Sequence, residues 1–374
     1  MTITESTQST DPTDDLEAAI GEFATRVAMA TVGTLELLTI ELGTRLGLYE
    51  ALAQGPATPP ELAKRAGIDA RYAREWLEQQ ATAGIVAVDA DPADGGNPDD
   101  RVFSLPIAAQ ACLLDPESLA FLAPMATLAA SAPASIDAVI RAYRDGTGLS
   151  FGAYGDGVRE FQAAANRPQF VNLLASSWLA AMPDVVTRLE AGAVRIADVA
   201  CGAGWSSIAF ARAFPGVTVD GYDLDEPSIA DARRNADAEG FGDRLHFEVR
   251  NAADAPSESY DLVCCFEALH DLPRPVEALG AMRTMLAPGG TVFIVDERAA
   301  DEMTPNDPDP MQRLMYAASV LHCLLVGRTE EDSAATGTML RTATLQRYAA
   351  DAGFSSVEVL PIEHDLFRCY RLQP

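Results

Sequence analysis

From Val194 to the end of the chain, short apolar runs alternate with helix-forming stretches, and this rhythm limits the fold more than any other feature. The runs are "VRIADVA", "VTVDGYD", "LHFEV", "YDLVCCFE" and "TVFIVDE". Helical stretches separate most of them: one after Trp205, "EPSIADARRNADAEG" and "PVEALGAMRTML". Strands that are apolar along their whole length, joined by helices, predict a parallel sheet covered on both faces. The chain closes with a helix at "TLQRYAADAG" and strands at "SVEVLPI" and "LFRCYRL", which predict an antiparallel hairpin on the sheet edge. The stretch from about 300 to 340 interrupts the alternation and reads as a lid-like insertion.

The first of these strands runs into "IADVACGAGWSS", residues 196–207. Gly202 and Gly204 let the backbone turn sharply and approach a ligand with no Cβ in the way. A helix starting near Trp205 would offer free N–H groups and a positive dipole end to an anion. Three ligands suit such a loop. A phosphate loop of the Walker type needs a Gly-Lys-Ser/Thr run, which is missing. A dinucleotide fingerprint needs a third glycine where this chain has Ser207. S-adenosylmethionine brings a carboxylate, a smaller anion than a pyrophosphate. Asp223, at the end of the second strand, can accept from both ribose hydroxyls, although nicotinamide dinucleotide enzymes share that feature.

The N-terminal part reads differently. Residues 1–16 are polar and acidic and read as a disordered tail. Phe23 to Ala53 reads as one or two helices, and from Val27 to Ile40 only Glu36 is charged. A helix apolar nearly all round needs cover on every side, and a partner subunit could supply it. "TPPELAKRAG" and "DARYAREWLEQQATAGIV" follow as two helices, the first with Thr58 as cap. Two short strand-like pieces then flank a Gly/Asp/Pro-rich turn. Together these make a winged helix-turn-helix pattern over residues 17–115. Residues 116–189 read as a helical linker that contributes to the active site, and 190–374 as the catalytic domain.

The formal net charge of −28 disfavours phosphate backbones and anionic membrane surfaces. The second winged-helix helix sets Arg71 and Arg74 against Asp69, Glu75 and Glu78, so a nucleic-acid footprint is not expected. No apolar run reads as long enough to span a bilayer and no leader is evident, so a cytoplasmic protein without membrane contact is expected. Six scattered cysteines without a CxxC pair read as free thiols in a reducing compartment, and no metal site is expected.

The set DxxCGxG, GYD, YDLV…LHD and LAPGG resembles the class I S-adenosylmethionine-dependent methyltransferases. With the winged helix, the chain is similar to small-molecule O-methyltransferases that dimerise through that domain. It is similar in particular to a bacterial group with an LHD motif and a later segment, matched here by Asn306, Pro310, Arg313, Tyr316, Ala317 and Ser319. The resemblance implies a Rossmann-like seven-stranded sheet with a mostly α winged-helix domain. It also implies a homodimer and methyl transfer to a small organic acceptor, most readily at a hydroxyl, in secondary metabolism. Asp198, Ala200, Gly202 and Gly204 would serve the methionyl part of the cofactor. Asp223 would hold the ribose, Leu224 would lie under the adenine, Asn251 and Ala252 would reach its edge, and Phe266 would line the wall. Tyr154, Glu297, Arg313, Tyr316 and His322 would meet the acceptor. His270 would face it as the base, oriented by Asp271, Asp296 or Glu297. Ala200 and Asn251 stand where many relatives have Gly and Asp. Two other readings keep the cofactor: a cyclisation, rearrangement or hydroxylation without methyl transfer, and a cofactor-sensing regulator.

Overall fold

The computed structural model describes residues 12–93, 96–254 and 258–374. Most of the expected acidic tail, and part of the wing turn, lie outside these. The chain divides into two compact units, residues 1–114 with 125–130, and residues 115–124 with 131–374. Nearly all of the segment read as a linker therefore belongs to the second unit.

In the first unit, α1 (Pro12–Arg45) leads into α2 (Leu48–Ala53), α3 (Pro59–Ala66) and α4 (Ala70–Thr82). Two short antiparallel strands follow, β1 (Ala87–Ala90) and β2 (Val102–Ser104). The helix starts are fixed locally. Glu61 accepts from the Thr58 backbone N–H at 2.8 Å, and Asp69 accepts from the Arg71 N–H at 2.8 Å. Leu48, Tyr49, Leu52, Leu62, Leu77 and Phe103 form the buried centre. Tyr49 donates to Gln80 at 2.6 Å, and the Trp76 indole donates to the Thr39 carbonyl at 3.1 Å.

α1 begins at Pro12, so residues 12–16 are helical and not tail. Leu16, Ile20, Phe23, Val27, Leu35 and Leu42 on it are each at least half exposed. The absence of any membrane-length apolar segment, expected from the sequence, is also corrected. Thr13–Arg45, at a mean hydropathy of 1.3, and Ala123–Asp145, at 1.2, are both long and apolar enough to cross a bilayer. Small and hydroxyl residues interrupt the apolar run in α1 without lowering its average enough.

The second unit is built on seven strands: β3 (Val194–Val199), β4 (Val217–Asp223), β5 (Leu245–Val249), β6 (Tyr260–Phe266), β7 (Leu286–Glu297), β8 (Ser356–Val359) and β9 (Phe367–Gln373). Their order is β5-β4-β3-β6-β7-β9-β8. The first five are parallel, and β9 and β8 complete the sheet as the expected antiparallel edge hairpin. Successive residues on a strand face opposite sides. Cys264 accordingly packs with Phe210, Phe293 and Trp178 on one face, and Cys265 with Leu279, Met282 and Ile294 on the other. All six cysteines are free thiols. The progression of strand order reverses at β3, which has β4 on one side and β6 on the other. Ligands in open α/β sheets bind at that point, beyond the carboxyl ends of the strands.

Candidate functional site

A cavity of about 600 Å³ opens at those strand ends. It falls within the range of small-molecule sites. A broader hollow of about 980 Å³ lies along residues 359–368, with Arg298 and Met311, and shares no residue with the glycine loop.

The loop after β3 forms one wall. Ala200 sits at φ 59° and Gly202 at φ 51°. For Ala200 this left-handed conformation costs roughly 1–2 kcal/mol, which a glycine would not incur. A Cβ on Gly202 would meet no protein atom within 4 Å, so the space beside it is open. Gly204 (φ 79°) caps the Trp205–Ala213 helix. A Cβ there would come within 3.0 Å of Ala232 and Phe247, so this glycine serves packing and does not line the cavity. The loop is held from behind, since Asn235 donates to the Ala203 carbonyl at 3.0 Å.

Asp223 closes the cradle. One of its oxygens accepts from the Gly202 N–H at 2.9 Å, the other from the Asp225 N–H at 2.8 Å. Each carboxylate oxygen has a second lone pair, so both can still accept from a ligand hydroxyl. Burial raises the Asp223 pKa, and its backbone donors oppose the shift. Leu224 is exposed at the cavity rim, and Asn251, Ala252 and Phe266 line the wall. The Asn251 amide oxygen accepts from the Ala253 N–H at 3.0 Å. Phe266 stands in an aromatic cluster, 5.4 Å from the rings of both Phe170 and Phe293.

Asp198 departs from its expected place. It is 1% exposed, does not line the cavity, and accepts from the Ser206 and Ser207 hydroxyls at 2.6 Å each. Burial lifts its pKa to about 6, with the two serine bonds pulling the other way. Its side chain faces the first helical turn and so acts on a ligand only through the loop. Ser207, which stands where a dinucleotide fingerprint would have glycine, is thus a structural partner of Asp198.

His270 is 1% exposed and lies behind the cavity wall. Its Nδ1 is 2.9 Å from Asp296 and 2.9 Å from Glu297, and its Nε2 is 3.3 Å from Asp271. The three carboxylates left open by the sequence all surround it. Two hold one nitrogen, and Asp271, which lines the cavity, stands at the other. Burial opposes the imidazolium charge, but Glu297, Asp296 and Asp271 outweigh it and hold the His270 pKa well above that of free imidazole. Burial raises Asp296, whereas His270 holds Glu297 below the ordinary carboxylate range against the pull of its own burial.

The remaining residues expected at the acceptor lie outside the cavity lining. Tyr154 is buried, donates to the Leu321 carbonyl at 3.0 Å, and its ring lies tilted at 56° to that of His322, 4.4 Å between centroids. The aromatic that lines the cavity from this segment is Phe151. Tyr316 accepts from Arg341 at 3.2 Å, and Arg313 is exposed on the Pro310–Ala318 helix. Glu297 meets His270 instead of the cavity. Spacing along a chain does not fix which way a side chain turns, and none of these side chains reaches the lining.

The sequence reading missed Glu267, Arg159 and the segment around Phe170. Glu267 follows β6 at φ 52°, and its N–H donates to the Val295 carbonyl at 2.7 Å. It lines the cavity, and its Oε1 is buried without a hydrogen-bond partner. Left-handed backbone at a non-glycine residue is strained and is often found at binding sites. The sequence signal was an acid directly after a buried strand. Arg159 reaches into the lining from the Asp156–Gln169 helix and pairs with Asp225 at 2.7 Å. Phe170 opens a π-helical stretch, Phe170–Trp178, a form common beside functional sites.

These residues fit S-adenosylmethionine. The space beside Gly202 leaves room for a ligand against the backbone, and Asp223 has free lone pairs for a ribose. An acid-rich lining suits a molecule that carries a sulfonium and an ammonium. Comparisons with known proteins agree. Residues 191–343 match the family model described as a methyltransferase domain, and residues 33–111 match an Rv2258c-like winged HTH domain. A ubiquinone biosynthesis O-methyltransferase from Thiobacillus denitrificans is 29% identical over 193 residues, covering 50% of this chain and 77% of that protein. Among solved structures, the mitomycin 7-O-methyltransferase MmcR aligns with a TM-score of 0.65 at 19% identity, over 96% of this chain and 100% of that one. Human N-acetylserotonin methyltransferase in complex with SAM aligns with a TM-score of 0.62 at 16% identity, over 98% and 99%. At such identities the structural likeness speaks for the fold, while the matched domain speaks for the enzyme class. Residues 191–343 therefore form a methyltransferase domain of the S-adenosylmethionine-dependent kind, preceded by a winged HTH domain.

Proposed function

We propose that the enzyme methylates a hydroxyl of a small organic acceptor. The observation that carries this reading is a single cavity that joins the Gly202–Asp223 cradle to the Asp271–His270 pair. Bound cofactor supplies an electrophilic methyl group on a sulfonium. Ala200 and Gly202 would hold its methionyl part, Asp223 its ribose, and Leu224, Asn251 and Ala252 its adenine. Asp198 and Gly204 would act by fixing the loop. Phe151, Phe170 and Val326 would pack on the acceptor. Tyr154, His322 and Tyr316 would support that wall from behind, and Arg313 would stay outside it.

The acceptor proton would leave by way of Asp271 to His270 Nε2, while Asp296 and Glu297 keep Nδ1 in place and stabilise the imidazolium. General-base help of this kind contributes about 10²–10⁴ in rate. The names of the Thiobacillus relative and of MmcR, both O-methyltransferases, support oxygen as the acceptor atom. The direct test is to incubate the enzyme with methyl-labelled cofactor and a panel of phenols and alcohols. S-adenosylhomocysteine should form in step with a labelled ether. Consumption of an acceptor without S-adenosylhomocysteine would favour cyclisation, rearrangement or hydroxylation.

The apolar surface of α1 supports a homodimer through the winged-helix unit, since contiguous exposed apolar surface marks an interface. Arg71 pairs with Glu75 at 2.5 Å and Arg74 with Asp99 at 3.2 Å, which neutralises the helix that would otherwise meet DNA. Six free cysteines suit a cytoplasmic location. Light scattering should give twice the chain mass. A monomer that floats with lipid vesicles would assign α1 to a membrane instead.

A further inference from the structure

The lining of the cavity is unbalanced in charge. It holds three guanidiniums, Arg159, Arg250 and Arg274, against seven carboxylates. The guanidiniums are already engaged. Arg159 pairs with Asp225 at 2.7 Å and with Asp156 at 2.6 Å, and Arg250 pairs with Glu248 at 2.9 Å. Arg274 pairs with Glu330 at 2.8 Å and Glu277 at 3.4 Å. Asp223 is committed to the cradle, and Asp254 is exposed at the edge. Glu267 and Asp271 remain, and neither has an Arg or Lys partner among the described residues.

Glu267 Oε1 is buried with no hydrogen-bond donor, and the group that faces Asp271 Oδ1 is His270 Nε2 at 3.3 Å. Behind them Asp296, 0% exposed, has its Oδ2 unpartnered as well. Glu297 is the fourth acid of the group, and His270 is the one cation that contacts it. A buried carboxylate without a donor is unfavourable, and the group must find a partner or take up a proton. The cofactor carries a sulfonium, an ammonium and a carboxylate, a net single positive charge that cannot balance this wall. A neutral or anionic acceptor would leave the orphaned oxygens as they are.

We propose that the acceptor carries an organic cation, a protonated amine or its equivalent, received by Glu267 and Asp271 while the apolar body rests on Phe151, Phe170, Leu272 and Val326. This rests on the reading of the cavity as a joint cofactor and acceptor site. Burial and the neighbouring Glu297 raise the Glu267 pKa above the ordinary carboxylate range.

The test is calorimetry on the full-length enzyme saturated with S-adenosylhomocysteine. Three probes share one phenol ring: tyramine, its neutral N-acetyl derivative and 4-hydroxyphenylacetate. Tyramine should bind about tenfold or more tighter than the other two. Glu267→Gln should remove most of the preference while leaving S-adenosylhomocysteine affinity intact, and that affinity also reports that the variant is folded. Equal affinities, a preference for the carboxylate probe, or no binding of any probe at millimolar concentration would overturn the proposal, and the wild-type comparison decides this without a variant. An E267Q enzyme that loses affinity for S-adenosylmethionine but not for S-adenosylhomocysteine, with tyramine unaffected, would assign Glu267 to the sulfonium and overturn it too. Failure of S-adenosylhomocysteine itself to bind would refute the methyltransferase reading, a different result from failure of the probes.

Discussion

The two ends of the cavity are built by opposite means. The cofactor end is made of backbone: Ala200 and Gly202 at positive φ, the Gly202 N–H on Asp223, and a helix start at Trp205. Both oxygens of Asp223 are already held by backbone donors. The end proposed for the acceptor is made of side chains from separate segments, Phe151, Phe170, Glu267, Asp271 and Val326, and Glu267 Oε1 there is left without a donor. A cradle of backbone is specific for one ligand and tolerates little change. A wall of side chains can be refitted to new acceptors without disturbing the fold.

If that contrast holds, substitutions at the two ends should fail in different ways. The largest effect is expected at His270. His270→Gln should lower single-turnover methyl transfer by about 10²–10⁴ and leave cofactor affinity nearly unchanged. Because its carboxylate neighbours hold His270 protonated well above the usual pKa, the base form appears only as pH rises. The wild-type rate should therefore climb as pH rises above the ordinary imidazole pKa, and that of the glutamine variant should not. A loss below threefold would place the base elsewhere.

Asp223→Ala should act at the other end. It removes two ligand hydrogen bonds to a charged group, each worth about 1.5–3 kcal/mol, so cofactor affinity should fall by roughly a hundredfold or more. Calorimetry with S-adenosylhomocysteine reads this, and unchanged affinity would break the assignment of the cradle.

The two glycines sharpen the comparison within the cradle itself. Gly204→Ala forces a Cβ against Ala232 and Phe247 at positive φ, and should cost about 3 kcal/mol of stability in urea denaturation. Gly202→Ala puts its Cβ into the cavity, so its main effect should be on cofactor affinity. Equal stability losses in the two variants would show that Gly202 also serves packing.

The smallest effect is a pH slope. Asp198 has a folded pKa of about 6, above the roughly 3.9 of a free aspartate. The folded state therefore binds its proton more tightly than the unfolded chain. Its contribution to stability falls as pH rises from about 4 to about 6, by on the order of 2 kcal/mol. Asp198→Asn should flatten that part of the stability profile. An unchanged slope would assign it to other groups.

How much of this could be read in the sequence follows the same division. The parallel sheet, the edge hairpin and the winged-helix pattern were legible, because they rest on periodicity and turn residues. So was the sharp turn at Gly202 beside Asp223, because a positive φ at the end of a strand admits few residue types. Asp198 was read as a ligand because its spacing from the glycines is right, and only the fold shows its side chain turned toward Ser206 and Ser207. Glu267 was passed over because an acid after a strand has no local signature. Its importance comes from φ, burial and distant neighbours. Tyr154 shows the same limit in another form: the aromatic segment was found, but Phe151 is the residue that lines the cavity. The apolar length of α1 was visible, yet its capacity to span a bilayer emerged only when the whole 34-residue helix was seen.

The central claim is that the cavity's backbone-built end holds S-adenosylmethionine. Titrating the full-length enzyme with S-adenosylhomocysteine and with NAD in parallel tests it most directly. The account predicts micromolar binding of S-adenosylhomocysteine, abolished by Asp223→Ala, and no measurable binding of NAD. Tighter binding of NAD, or S-adenosylhomocysteine binding indifferent to Asp223, would contradict it.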